Sequence, residues 1–248
     1  MEAISATIIT LNEETNIERC LNSLLGLVDE IVVVDSGSSD NTVEICRRYG
    51  CHVVERSFNG YGLQRQFATS LTSHNYIIAI DADEALDEDL HNQIKRIKAE
   101  GFQHRVYAMP TIQYCMGQRI HQPADNAAPI RLFNKRYAQW NLDDIGERVT
   151  FPTSLRPEPL RGNLLHYRSG SIAELRNKEI RQAKINALKY AGQNGIPGWP
   201  KAACKAIKTY LRTMVRDRAI LDGKTGRTIA GIRAGATYKA LRELKGKA

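Results

Sequence analysis

Asn75-Tyr76-Ile77-Ile78-Ala79-Ile80-Asp81-Ala82-Asp83-Glu84 is an apolar run that stops at three carboxylates within four positions. A short apolar run bounded by polar residues reads as a strand buried on both faces. In open α/β sheets, ligands gather just beyond the carboxyl ends of such strands. Asp81 and Asp83 therefore stand at a sheet edge, facing a crevice, where two close carboxylates need a cation. Mg²⁺ is commonly held by one or two carboxylates together with waters and substrate phosphates. Asp-Ala-Asp at a strand end thus points to a phosphate-bearing ligand bridged by Mg²⁺ or Mn²⁺. Taken alone, an Asp-x-Asp is as readily a surface turn, and the flanking sequence has to decide.

Upstream, Ala6-Thr7-Ile8-Ile9-Thr10 reads as a first strand, followed by the polar stretch Leu11 to Asn16 and a helix with Ile17, Cys20, Leu21 and Leu24 on one face. Glu30-Ile31-Val32-Val33-Val34-Asp35 is a β-branched run of the kind found in central parallel strands, and it too stops at an aspartate. Ser36 to Thr42 supplies a turn, Asn41 and Glu44 stand at capping-box spacing, and the helix after them ends at Gly50. Cys51 to Glu55 is a third strand. Strand and helix alternating at this rhythm predict βαβ units in a mostly parallel, Rossmann-like sheet, with two strands ending in acids on one rim.

Asn59 to Gln66 is a glycine-containing loop entering a helix predicted to turn Leu63, Phe67 and Leu71 inward, and Arg65 near its start is placed either to meet an anionic ligand or to lie solvated at the surface. Downstream, Leu86, Leu90, Ile94 and Ile97 mark a helix capped by Asp87. Strands are predicted over 105–114 and 129–133, joined by a polar loop from Gly117 to Ala128 that has the length of a lid or of a plain surface excursion.

The 248 residues fit one α/β domain with a helical appendage, placed at 1–170 and 171–248, and a 42% apolar, 25% charged composition argues against disorder. The start of the chain lacks a basic, then apolar, leader, and no stretch is apolar enough to span a bilayer. Five cysteines without a CxxC pair fit reduced thiols and a cytoplasmic location. The net charge of +8 is uneven: residues 171–248 hold 18 Lys/Arg and 5 Asp/Glu, against 17 and 22 in residues 1–170.

Three stretches, Ala6 to Glu14, Ile31 to Thr42 and Ile80 to Glu84, in this order and spacing resemble the GT-A glycosyltransferases of family 2. Within that family the chain looks most like the β-glucosyltransferases that extend the inner-core heptose of lipopolysaccharide, and Leu221 to Gly226 is similar to that subgroup as well. The resemblance implies a GT-A fold and donor contacts from Thr10, Asn12, Glu13, Asp35, Arg65 and Asp81. It implies metal binding through Asp83, with His166 as a further ligand. The family places its base in a His-Glu pair; Gly146 stands where the histidine is usual, Glu147 matches the glutamate, and Asp144 is the reserve. The implied reaction moves a sugar, glucose from UDP-glucose, to a lipopolysaccharide-core acceptor with inversion.

After a helix over 171–194 and the break at Asn194 to Gly198, a second helix is predicted to carry Lys201, Lys205, Lys208, Arg212 and Arg216 on one face. Trp199, Ala203, Ala206, Ile207, Tyr210 and Met214 lie on the other. A solvated basic face and peripheral contact of residues 201–216 with an anionic membrane, at the cytoplasmic face of the inner membrane, are the competing readings. Nucleic acid is not expected, since interleaved aromatics and a recognisable module are missing. A sugar-phosphate nucleotidyltransferase would need a basic, glycine-rich loop where Leu11-Asn12-Glu13-Glu14 is acidic, and a dehydrogenase would need G-x-G-x-x-G after a strand. The remaining rivals are transfer of another nucleotide sugar to a different glycan, and a GT-A-like protein that binds without catalysis.

Overall fold

A computed structural model of the chain describes residues 2–121, 128–142 and 146–244. In chain order its elements are β1 (Ile4–Thr10), α1 (Ile17–Leu24), β2 (Glu30–Asp35), α2 (Thr42–Arg48), β3 (His52–Glu55), α3 (Tyr61–Ser70), β4 (Tyr76–Asp81), β5 (Glu84–Leu86), α4 (Glu88–Glu100), β6 (Val106–Ala108), β7 (Thr111–Cys115) and β8 (Gln118–Ile120). There follow β9 (Ile130–Asn134), β10 (Gln139–Trp140), β11 (Val149–Thr150), β12 (Glu158–Pro159), β13 (Leu164–Ser169), α5 (Ile172–Asn194), α6 (Trp199–Val215) and α7 (Gly223–Glu243), with a 3-10 turn at Ala219–Asp222 before α7. The chain forms two compact units, Met1–Thr111 with Ala127–His166, and Ile112–Asn126 with Tyr167–Ala248.

The first unit is built on a seven-stranded sheet in the order β12-β6-β9-β4-β1-β2-β3. β1 pairs parallel to β2 and β4, and β2 to β3, while β9 runs antiparallel between β4 and β6. This is the mostly parallel α/β, GT-A-type architecture expected of the sequence. Side chains of β4 alternate as the pleat requires. Tyr76, Ile78 and Ile80 enter a core with Ile17, Leu21, Leu24, Leu90 and Ile94, whereas Ile77 and Ala79 enter a second core with Phe133 and Trp140. Burying Ile17, Leu21 and Leu24 stabilises α1 on the sheet by about 1.5–3 kcal/mol per side chain. Asp81 is next on the Ile77 and Ala79 side, so the alternation aims it toward Trp140.

Four local expectations are corrected. Asn41 makes no side-chain cap on α2; Asp40 Oδ1 accepts from Thr42 N at 3.0 Å instead. The strand predicted over 105–114 is two strands, β6 and β7, because Pro110 lacks the N–H that a continuous ladder needs. The predicted loop from Gly117 opens with β8, which forms a hairpin with β7 across Met116 and Gly117, both at positive φ; residues 122–127 of the predicted lid lie outside the described residues. Glu84 to Leu86 is a strand, antiparallel to Leu164–His166, before Asp87 caps α4 by accepting from Leu90 N at 2.8 Å.

The most consequential correction concerns α3. Leu63 and Phe67 are only half-buried, and the side buried against the sheet carries Gln64, Arg65, Ala68 and Thr69. A helix that turns its polar side inward must find partners there.

In the second unit α5, α6 and α7 pack through small side chains, among them Ala183, Ala187, Ala202, Ala236 and Ala240. The face of α6 predicted to be apolar is buried only in part, with Ala203, Ala206, Tyr210 and Met214 half-buried. Ala202 and Thr213 are buried, while Trp199 and Ile207 are 63% and 60% exposed. Among the described residues no helix is long and apolar enough to cross a membrane. All five cysteines are free thiols.

Candidate active site

The carboxyl ends of β1, β2 and β4, the start of α3 and the strands β9 and β10 converge on one charged cluster in the first unit. Arg65 Nη2 lies 2.6 Å from Asp81 Oδ1 and 2.8 Å from Oδ2, and Arg65 Nε is 3.7 Å from Glu147 Oε1. Arg131, from β9, approaches Asp81 Oδ2 at 3.3 Å and Glu84 Oε1 at 3.2 Å. Glu84 Oε2 in turn accepts from Asp81 N at 2.9 Å. Trp140 floors the cluster, its ring 4.9 Å from the Arg65 guanidinium carbon and 6.0 Å from that of Arg131.

Burial opposes the charge on Asp81, but Arg65 and Arg131, with His166 behind them, overcome it and hold the carboxyl at about 2. Burial pushes Glu84 the other way, and the negative Asp81 beside it adds to the rise. Burial also works against the charge on Arg131, yet Glu84, Asp81 and Glu147 keep the guanidinium firmly protonated. Among the described residues five buried side-chain polar atoms lack a hydrogen-bond partner, Asp81 Oδ1 being held in the ion pair with Arg65; three of the five are Arg65 Nε, Arg131 Nε and Trp140 Nε1. The other two, Thr10 Oγ1 at the end of β1 and Gln64 Oε1 on α3, flank the same strand ends. Buried polar groups are almost always satisfied, and these exceptions are concentrated at the strand ends.

A few ångströms along the chain, Asp83 Oδ2 stands 3.4 Å from His166 Nε2. Burial alone would lower the imidazole pKa; the bond to Asp83, with Glu84 and Asp81 nearby, raises it instead. One carboxylate and one imidazole are donors a divalent cation accepts, once the imidazole proton has left. Among the described residues no three His, Cys, Asp or Glu side chains converge as a ready metal cage. The donor set therefore fits an ion that brings most of its oxygens with it, as Mg²⁺ and Mn²⁺ do with a diphosphate.

Two loops form the rim beside these strand ends. Asn12, at φ 55°, accepts from Ser39 N through Oδ1 at 2.8 Å, and Glu13 N donates to Thr42 Oγ1 at 2.8 Å. Asp35, 1% exposed, accepts from Gly37 N at 2.9 Å and Ser38 N at 2.7 Å, and so fastens its own turn. Of the residues singled out in the sequence, Arg65, Asp81 and Glu147 share one cluster, Asp83 and His166 share another, and Thr10 opens onto the strand ends. Asn12, Glu13 and Asp35 hold the rim together. Asp144 lies outside the described residues.

Sequence reasoning missed Arg131 and Trp140, and counted Glu84 among the strand-end carboxylates without giving it a role. Arg131 had a visible signal, a single cation between Ile130 and Leu132 in an apolar strand. Trp140 had none, since a two-residue strand has no readable period.

Carboxylates at parallel strand ends, paired with two buried arginines over Trp140, form one charged cluster at the rim of an α/β sheet. Residues 5–161 match Glycosyl transferase family 2, and the chain belongs to that family. An uncharacterized glycosyltransferase of Rickettsia felis is 41% identical over 144 residues, which is 56% of this chain and 50% of the relative. The chain thus spans half the length of that relative. The lipopolysaccharide core biosynthesis glycosyltransferase LpsC of Rhizobium meliloti is 26% identical over 249 residues, covering 95% of this chain and 92% of LpsC. Glucosyl-3-phosphoglycerate synthase of Mycobacterium tuberculosis, solved with Mn²⁺, UDP and glucosyl-3-phosphoglycerate, aligns over 46% of this chain and 44% of its own, at 25% identity and a TM-score of 0.37.

Proposed function

We propose that the protein is an inverting, divalent-metal-dependent glycosyltransferase that moves glucose from UDP-glucose to the inner-core heptose of lipopolysaccharide, working at the cytoplasmic face of the inner membrane. The observation that carries the reading is the set of buried atoms without hydrogen-bond partners on Thr10, Gln64, Arg65, Arg131 and Trp140, gathered at the strand ends of a family 2 chain. The match to LpsC along almost the whole of both chains supports an acceptor in the lipopolysaccharide core.

In this reading Arg65 and Arg131 orient the diphosphate by charge-assisted hydrogen bonds, and Asp81 holds both guanidinium groups in place until the donor arrives. Asn12, Glu13 and Asp35 border the nucleoside. Asp83 and His166 would hold Mg²⁺ or Mn²⁺, which supplies Lewis-acid stabilisation of the departing diphosphate. Glu147 takes the proton from the acceptor hydroxyl as that oxygen bonds to the anomeric carbon, on the face opposite the breaking C1–O bond. UDP leaves with the electron pair of that bond, and the anomeric configuration inverts. Trp140 and the buried side of α3 exclude water from the strand ends, which limits hydrolysis of the donor.

Glu147→Gln tests the base. It should retain UDP-glucose binding while transfer falls at least a hundredfold, whereas Asp83→Asn should lose metal-dependent donor binding as well. Equal loss of donor affinity in both variants would remove Glu147 from that role.

A further inference from the structure

α6 leaves its larger apolar side chains outside the helical unit. Because it docks through Ala202 and Thr213 against the small residues of its neighbours, Ile207, Leu211 and Val215 stand 60%, 55% and 71% exposed. Together with Cys204 they line one shallow groove along the helix, and Lys208, Arg212 and Arg216 border it. Trp199 at the first residue of the helix, and Ile220 and Leu221 just past its end, are each more than half exposed. Soluble proteins rarely leave so many large apolar side chains uncovered along one stretch.

The basic row of the same helix serves a second feature. Lys205, Lys208 and Arg212 line a cleft of about 290 Å³ against α5 and α7, which Asn186, Tyr190 and Thr237 complete. Lys205 Nζ sits 3.5 Å from the centre of the Tyr190 ring. Among the described residues neither Lys208 nor Arg212 forms an ion pair, and α6 itself contains no carboxylate. Three cations and several hydrogen-bonding side chains around a small cleft suit a phosphate group.

An apolar ridge with cations along its flank is the pattern of a helix lying in a membrane interface, and anionic lipid supplies the charge this one lacks. A second copy of the chain fits worse, because two ridges meeting face to face would bring their basic rows together with no acid between them. We propose that α6 docks the protein on an anionic phospholipid bilayer. Ile207, Leu211 and Val215 enter the boundary between headgroups and acyl chains, and the cleft of Lys205, Lys208 and Arg212 holds a phospholipid phosphate. This differs from a basic face resting on the surface, since the apolar side chains do part of the anchoring. It extends the membrane location of the transferase reading but needs neither donor nor acceptor, so either can fail without the other.

The test is partition of the purified full chain onto phosphatidylcholine vesicles, with and without a third of phosphatidylglycerol, in the absence of nucleotide. The unmutated protein should bind the anionic vesicles at least tenfold better, and raising the salt should release it at least tenfold. Leu211→Ser with Val215→Ser, both exposed, should lower partition at least tenfold while circular dichroism stays unchanged. Lys208→Gln with Arg212→Gln should lower binding to the anionic vesicles about thirtyfold, or about 2 kcal/mol at roughly 1 kcal/mol per cation and 1.4 kcal/mol per tenfold. Equal binding to both vesicles, or full binding by the Leu211 and Val215 variant, would overturn the proposal. So would a dimer in solution that this variant dissociates, since the ridge would then belong to a second copy.

Discussion

Arg65 is 5% exposed and bonded to Asp81 on one side, with Glu147 near its other edge. Removing it by Arg65→Ala leaves Asp81 with Arg131 alone, and breaking a buried pair of this kind costs about 3–5 kcal/mol, readable by urea unfolding. Arg65→Lys keeps the charge but loses the fork. UDP-glucose affinity should fall at least tenfold, about the worth of one charge-assisted hydrogen bond. Trp140→Phe removes an N–H that has no hydrogen-bond partner but also shrinks a buried ring packed on Phe133 and the two arginines, so unfolding should change by about 0.5–3 kcal/mol while donor affinity of the folded variant drops. Unchanged affinity in a folded Trp140→Phe protein would mean that no donor atom accepts from that N–H.

At the level of elements, the strand starts are fastened by acids. Glu30 on β2 accepts from Ser5 Oγ at 2.5 Å and from Ser73 N and Oγ at 2.8 Å each; burial would raise its pKa, but these bonds lower it. Asp29 likewise gains from Lys98 Nζ at 2.6 Å and Ile4 N at 2.8 Å, which outweigh burial and lower it. Groups whose pKa falls on folding stabilise the native state above their unfolded values, near pH 4, and lose that contribution as pH drops through the lowered values. Melting temperature should therefore fall between about pH 5 and pH 3, and Glu30→Gln should melt lower at pH 7 but lose less on acidification. An equally steep acid limb in Glu30→Gln would exclude this carboxylate as a source of it. In the helical unit, a Cβ on Gly226 would lie 1.7 Å from Ala219 O, so α7 can follow the 3-10 turn only with glycine there. Gly226→Ala should lower stability by at least about 2 kcal/mol, seen as a lost or shifted melting transition.

Across the whole molecule, β1, β2 and β4 were legible because strands buried on both faces write continuous apolar runs, and Asp87 was legible because its cap is local. The inward side of α3 was not, because Gln64 and Arg65 are buried on hydrogen bonds to Ser36, Arg56 and Asp81 and break the rule that apolar residues face the core. α6 misled for the opposite reason: its small residues make the contacts, and its large ones are left out. Arg131 and Trp140 join the site only through strand pairing, which a local reading of sequence does not see. The uneven charge was visible from composition, but which side chains of α6 reach the surface was set by packing against α5 and α7.

The central claim is that these strand ends bind a UDP-sugar with a divalent metal. Calorimetric titration with UDP, UDP-glucose, UDP-galactose and a purine-linked sugar, each with Mn²⁺ and with EDTA, tests it most directly. Binding of UDP-glucose that EDTA abolishes, and that Asp83→Asn loses, is the result the account predicts. No binding of any of the four, with or without metal, would contradict it.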